Sequence, residues 1–137
     1  WVNSCKQNIG EERARLFLPY KTYLEKGLVV TGGSDSPVEV FDPFVGIQCA
    51  VTRQDMSGSP EEVFEPQERI STYEAVCLYN KYAAYSCNEE NYKGTVECGK
   101  YADFAVLDSD IFETEPSEIK NISVLKTILG GKVVYEK

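Results

Sequence analysis

Four consecutive apolar or β-branched residues, Leu28-Val29-Val30-Thr31, run without alternation into Gly32-Gly33-Ser34-Asp35-Ser36-Pro37, and no other segment constrains the fold as strongly. A strand with no polar face is expected to be buried on both sides, as in a parallel sheet covered by helices. The two glycines permit a sharp turn or a close approach, and Pro37 prevents simple continuation. In parallel α/β architectures the reacting groups sit at the carboxyl ends of strands, which puts Asp35 where a catalytic or metal-binding carboxylate would stand. The competing reading is a turn aspartate that holds its own backbone. The strand alone leaves both open.

The flanking sequence has the grammar of a wound α/β unit. Residues 10–26 read as helical in two pieces, because Pro19 interrupts the hydrogen-bond ladder. Tyr20, Tyr23 and Leu24 share a face, Glu11 and Arg15 are spaced to pair, and Gly27 is a natural stop before the strand. After Val38-Glu39-Val40-Phe41, Asp42 as N-cap and Pro43 at the first helical position open a helix whose Phe44, Ile47 and Val51 form an apolar stripe. The stretch from Ser57 to Pro66 reads as an acidic, turn-rich surface loop. Ser71-Thr72-Tyr73-Glu74 fits a capping box and predicts a helix over 72–85, with Val76, Tyr79 and Ala83 as a core row flanked by Ala75, Leu78 and Tyr82. Beyond Asn88-Glu89-Glu90-Asn91 the texture changes to antiparallel strands: Phe104 to Leu107, Val124 to Leu129, and Lys132 to Tyr135, the last two joined by a tight Gly130-Gly131 hairpin. A boundary is placed near residue 88.

Composition narrows the function. The length of 137 residues suits one ordinary domain, and an apolar fraction of 42% argues against disorder. A net charge of −8 disfavours nucleic acid or an anionic membrane as partner, since both would repel it. No stretch approaches the roughly 20 apolar residues of a membrane span, and the N-terminus lacks the apolar segment of a signal peptide. Cys5, Cys49, Cys77, Cys87 and Cys98 are odd in number and lack a Cys-x-x-Cys pair, so free thiols in a reducing cytoplasm are expected. Histidine is absent. Ser-His-Asp and Cys-His catalysis are therefore excluded within this chain, as is any histidine metal cage, and a metal at Asp35 would take its other ligands from elsewhere. The chain starts on Trp1 rather than Met and so reads as a piece of something longer.

Three segments together resemble the C-terminal end of metal-dependent amidohydrolases, in the branch containing N-substituted formamide deformylases and the so-called exoenzyme regulatory proteins. The first is Gly33-Ser34-Asp35-Ser36-Pro37-Val38-Glu39 with Asp42-Pro43-Phe44-Val45-Gly46-Ile47 and Ala50-Val51-Thr52-Arg53 behind it. The second is Arg69-Ile70-Ser71 with Glu74-Ala75 and Tyr82-Ala83-Ala84-Tyr85. The third runs from Lys93-Gly94-Thr95-Val96-Glu97-Cys98-Gly99-Lys100-Tyr101-Ala102-Asp103 to Asp108 and closes with Gly131-Lys132-Val133-Val134-Tyr135.

The resemblance implies an α/β plus β fold: the C-terminal end of a (β/α)8 TIM barrel over residues 1–88, then part of a β-sandwich subdomain over 89–137. The family's His-x-His pair and its mid-barrel histidines have no counterpart here, which makes the chain similar to about the last quarter of such an enzyme. Asp35 then matches the aspartate at the end of the eighth strand, which contacts the metal or its water and moves a proton from the attacking water to the leaving nitrogen. The implied activity is metal-dependent hydrolysis of a non-peptide carbon–nitrogen bond in a small amide-like substrate. A divalent metal, with zinc expected, would serve the full-length enzyme, and none is expected to stay bound to this piece, which is expected to be inactive alone. A homo-oligomer in the cytoplasm, with neither nucleic acid nor membrane as partner, completes the expectation. Arg53 is expected to be a solvated helix-end residue rather than a substrate clamp, Glu39 a surface residue and Asp103 structural. Cys98 stands where the family has proline, which loosens a turn without bearing on chemistry. The alternative is a non-catalytic, self-associating module, since a lone barrel strand has edges and faces in search of partners.

Overall fold

The computed structural model describes residues 2–57 and 63–137, so residues 58–62 of the expected loop lie outside the described residues. Three short helices open the chain: α1 (Val2–Ile9), α2 (Glu11–Ala14) and α3 (Tyr20–Glu25). Pro19 sits at the N-cap of α3, so the interruption expected there is present. Arg15 pairs with Glu65 at 3.7 Å, across the fold.

Residues 28–31 form no strand, which corrects the expectation of a doubly buried one. A strand exists only by hydrogen bonding to a neighbour, and among the described residues the one sheet has the order β1-β2-β3, with none of its members beside this segment. Leu28 and Val29 are instead 53% and 44% exposed, while Val30 packs on the core.

Helix α4 (Pro43–Thr52) starts as its sequence dictates: the Asp42 carboxylate accepts from the Phe44 N–H at 2.9 Å, with proline in the first turn. Ile47 and Ala50 enter the core, with Phe44 and Val51 at its margin. Gln48 is buried, and its Oε1 accepts from the Lys120 N–H at 3.0 Å, fastening the 3-10 turn Pro116–Asn121 onto α4.

The capping box is formed. Ser71 Oγ accepts from the Glu74 N–H at 3.2 Å, and the Glu74 carboxylate accepts from the Ser71 N–H at 2.8 Å. The helix predicted over 72–85 divides into α5 (Thr72–Tyr79) and α6 (Lys81–Ser86), because Asn80 lies off the helical path at φ −120°, ψ −86°. Asparagine is a weak helix former whose amide competes for backbone groups, so a break falls there at low cost. The deepest side chains are Ala75 and Leu78, with Val76, Tyr79 and Tyr82 at the core's edge, so the buried stripe lies one position round from the expected row.

Strands β1 (Phe104–Leu107), β2 (Val124–Leu129) and β3 (Lys132–Glu136) pair antiparallel, with Phe104 opposite Ile128 and Leu129 opposite Lys132. Gly130 and Gly131 both take positive φ, 56° and 77°, as the two-residue hairpin turn between β2 and β3 requires. Ile111, Ile119 and Ile122 join Ile47, Ile70, Ala75 and Leu78 in one core, while Val133, Val134 and Tyr135 of β3 stay about half exposed. The five cysteines are free thiols. No helix among the described residues is long and apolar enough to cross a membrane.

Candidate functional site

The segment Ser34–Glu39 closes on itself through its own backbone. The Glu39 N–H donates to the Ser34 carbonyl at 3.1 Å and the Val38 N–H to the Asp35 carbonyl at 3.0 Å. Ser34 Oγ accepts from the Ser36 N–H at 3.3 Å, and the Ser36–Pro37 bond is cis. Asp35 takes the left-handed conformation, φ 53°, which aspartate tolerates better than most residues, and its side chain is exposed.

What the carboxylates do separates Asp35 from its kin. The other five aspartates each accept a backbone N–H: Asp42 from Phe44, Asp55 from Ser57, Asp103 from Gly130, Asp108 from Ser123 and Asp110 from Phe112. The Asp35 carboxylate has no hydrogen-bond partner among the described residues. The Ser34 hydroxyl and two carbonyls build the turn, so the carboxylate is not what holds it.

Two contacts fix the base of this loop. The Gly32 N–H donates to the Leu78 carbonyl at 3.0 Å, tying the loop to the end of α5. The Tyr79 ring lies against Gly32, where an added Cβ would come within 2.6 Å of its edge, and a methyl on Gly46 of α4 would overlap the Tyr79 hydroxyl. Gly46 thus occupies a helix interior, where glycine costs about 1 kcal/mol relative to alanine, because the ring needs the space. That mid-helix glycine is the sequence signal that could have exposed the contact.

Burial pushes the Tyr79 hydroxyl above its usual range, with help from Tyr20 and Cys49. The Cys49 thiol is also raised, by burial first and then by Asp55 and Glu39, so it is a poor nucleophile. Glu39 is half-buried, and its charge is among those that raise the Cys49 thiol. Arg53 departs from both roles considered for it. It is 8% exposed, and its guanidinium donates to the carbonyls of Phe64 (3.1 Å), Leu18 (2.9 Å) and Phe17 (3.3 Å) while lying 5.2 Å over the Phe64 ring. It is a brace. Glu68, equally buried, accepts from Thr22 N and Oγ1 at 2.9 and 2.5 Å. Burial pushes its carboxyl up, but the Thr22 hydrogen bonds and the Arg53 charge outweigh that and hold it below the usual carboxylate range.

No three His, Cys, Asp or Glu side chains converge to hold a metal ion among the described residues, and the sequence contains no histidine. A groove bordered by Lys21, Leu24, Leu28, Val29 and Tyr82 opens at the other end of the 28–31 segment and does not include Asp35. Asp103 is structural as expected: its carboxylate takes the Gly130 N–H at 2.7 Å and anchors the hairpin.

Residues 3–135 match the model of an amidohydrolase family. YtcJ of Bacillus subtilis (strain 168), named as an amidohydrolase, is 35% identical over 94% of this chain and 24% of its own length. N-substituted formamide deformylase of Arthrobacter pascens is 32% identical over 93% of this chain and 23% of its own. A crystal structure of an uncharacterised metal-dependent hydrolase from Pyrococcus furiosus superposes with a TM-score of 0.65 at 32% identity, covering 82% of this chain and 22% of that one. The chain spans about a quarter of the length of the curated relatives it matches.

Proposed function

This chain belongs to the amidohydrolase family, and on that premise we propose that it forms the C-terminal part of a longer hydrolase that cleaves a non-peptide carbon–nitrogen bond in a small amide-like substrate. Residues 1–88 supply the end of a (β/α)8 barrel and 89–137 part of a β-sandwich, a division of architecture rather than of cores, since Ile111, Ile119 and Ile122 pack among the helices. The exposed Leu28–Val29 pair supports the barrel reading: an apolar segment with no strand partner has the character of an interior strand.

Asp35 is the group this chain brings to the chemistry. The observation that carries the reading is its unengaged carboxylate, alone among six aspartates in having no structural hydrogen bond among the described residues. In hydrolysis, a water oxygen bonds to the substrate carbonyl carbon and the carbon–nitrogen bond breaks. The Asp35 carboxylate takes the water's proton and returns it to the departing nitrogen, so that an acid and an amine leave. The residues present do not by themselves fit a divalent cation, because one carboxylate falls short of the three or more protein ligands such an ion takes. Any metal would be held by other parts of the full-length enzyme.

The reading is tested by assaying an N-substituted formamide for formate release with the protein encoded by the whole open frame and with the 137-residue chain alone. Turnover by the former and none by the latter is expected. Hydrolysis by the isolated chain that disappears in Asp35→Ala would overturn the division of labour. A second reading, self-association, is favoured by the exposed Val133, Val134 and Tyr135 on edge strand β3. Light scattering over a hundredfold concentration range tests it, and a constant monomer mass would dismiss it.

A further inference from the structure

The break in the helix at Asn80 and the glycine inside α4 both border the Tyr79 side chain. In an unbroken helix the Leu78 carbonyl would accept from the N–H four residues on. With Asn80 off the helical path, that carbonyl is turned over to the Gly32 N–H at 3.0 Å. The neighbouring Tyr79 ring then fills the space between Gly32 and Gly46, each of which is too close to it to carry a side chain. Gly32 lies three residues before Asp35, and the loop from Ser34 to Glu39 is closed by its own hydrogen bonds. Fixing Gly32 therefore fixes the root of a loop that is already internally rigid.

We propose that Tyr79, wedged between Gly32 and Gly46, is a positioning residue that sets where the Asp35 carboxylate stands. It does not touch the reacting atoms; it acts through the loop. The inference rests on the reading of Asp35 above, and it explains three features which that reading leaves without a role: the helix break, the costly mid-helix glycine, and a half-buried tyrosine whose hydroxyl points at a backbone. A displacement of a catalytic group by about 1 Å can lower turnover on the order of 10²-fold, so a wedge of this kind is a point of leverage.

The test uses the full-length enzyme and four variants: Gly46→Ala, Tyr79→Phe, Gly46→Ala/Tyr79→Phe and Tyr79→Ala. Steady-state kinetics and amide exchange over Gly32–Glu39 are measured on each. The new methyl of Gly46→Ala meets the Tyr79 hydroxyl, so kcat is expected to fall on the order of 10²-fold with KM changed less than about threefold. Exchange at Gly32 should quicken. Removing the hydroxyl takes away the severest overlap and leaves the ring carbon at 2.9 Å, so the double variant should recover part of the lost kcat, and unfolding midpoints measured beside the kinetics separate repositioning from a general loss of stability. Tyr79→Ala avoids any clash and should quicken Gly32 exchange while lowering kcat. Unchanged Gly32 exchange in Tyr79→Ala, or full kcat despite quickened exchange, would overturn the proposal. Asp35→Asn run beside them isolates the other failure: if it retains full turnover, the reading of Asp35 falls, and the exchange data still decide whether the wedge holds the loop.

Discussion

Arg53 offers the sharpest test of how this fold is held. Its guanidinium reaches three backbone carbonyls from a buried position, with the bonds to Leu18 and Phe64 at 2.9 and 3.1 Å and the one to Phe17 at 3.3 Å, near the limit of useful geometry. Hydrogen bonds from a charged donor contribute about 1.5–3 kcal/mol each. Arg53→Met keeps an apolar side chain of similar reach beside Phe64 and removes the donors together with the charge, which also takes from Glu68 one of the interactions that keep its carboxyl low. Two good bonds at the lower figure give a loss of about 3 kcal/mol. The Phe64 N–H, which donates to the Arg53 carbonyl at 3.0 Å, reports the opening of this corner. Its exchange should accelerate about 150-fold in Arg53→Met. Arg53→Lys should recover little, since one ammonium cannot span three carbonyls on separate segments. Acceleration of less than about fivefold in Arg53→Met, or wild-type behaviour in Arg53→Lys, would refute the claim that a forked donor holds the corner.

Other outcomes follow from the same contacts. Asp42→Ala removes the cap of α4 and should cost about 1 kcal/mol in denaturant unfolding. Glu68 has its carboxyl held below the usual range, so its contribution is present above the ordinary value of 4.5 and is lost as pH falls from there through the folded value. Unfolding midpoints measured from pH 7 to pH 3 should therefore decline more steeply in the wild type than in Glu68→Gln. Cys49, with its thiol raised by burial and by Asp55 and Glu39, should be alkylated more slowly at pH 8 than the exposed Cys87 and Cys98, as peptide mass mapping would show.

Local chemistry was legible in the sequence because it is written in adjacent residues. The Asp42-Pro43 start, the Ser71–Glu74 capping box and the Gly130-Gly131 hairpin all stand as read. Pattern failed where the outcome depends on residues distant in the chain. Leu28–Thr31 has the composition of a buried strand, yet a strand needs a neighbour, and the sheet among the described residues lies elsewhere. The helix over 72–85 carried strong apolar periodicity, and the single residue that divides it, Asn80, is unremarked by a pattern that counts only apolar faces. Arg53 was misjudged for a similar reason. Its partners sit 11, 35 and 36 residues away, and charge alone suggested solvent. At the candidate site the sequence singled out Asp35 by its place after an apolar run. It could not show that five other aspartates are engaged in turns and caps, which is what sets Asp35 apart. Tyr79 was visible only as a core residue, and Gly46 passed unremarked.

The measurement that bears most directly on the central claim pairs turnover with stability in Asp35→Asn of the full-length protein. Asparagine tolerates the left-handed backbone at φ 53° as aspartate does, and the carboxylate it replaces has no partner among the described residues to lose. The unfolding midpoint should therefore stay within about 0.5 kcal/mol of wild type, as for a surface change that removes no contact. Turnover of the amide-like substrate proposed above should fall by about 10²–10⁴-fold, the span that a positioned proton carrier contributes. Full turnover in Asp35→Asn, or an unfolding loss as large as that of Asp42→Ala, would show that Asp35 is one more turn aspartate.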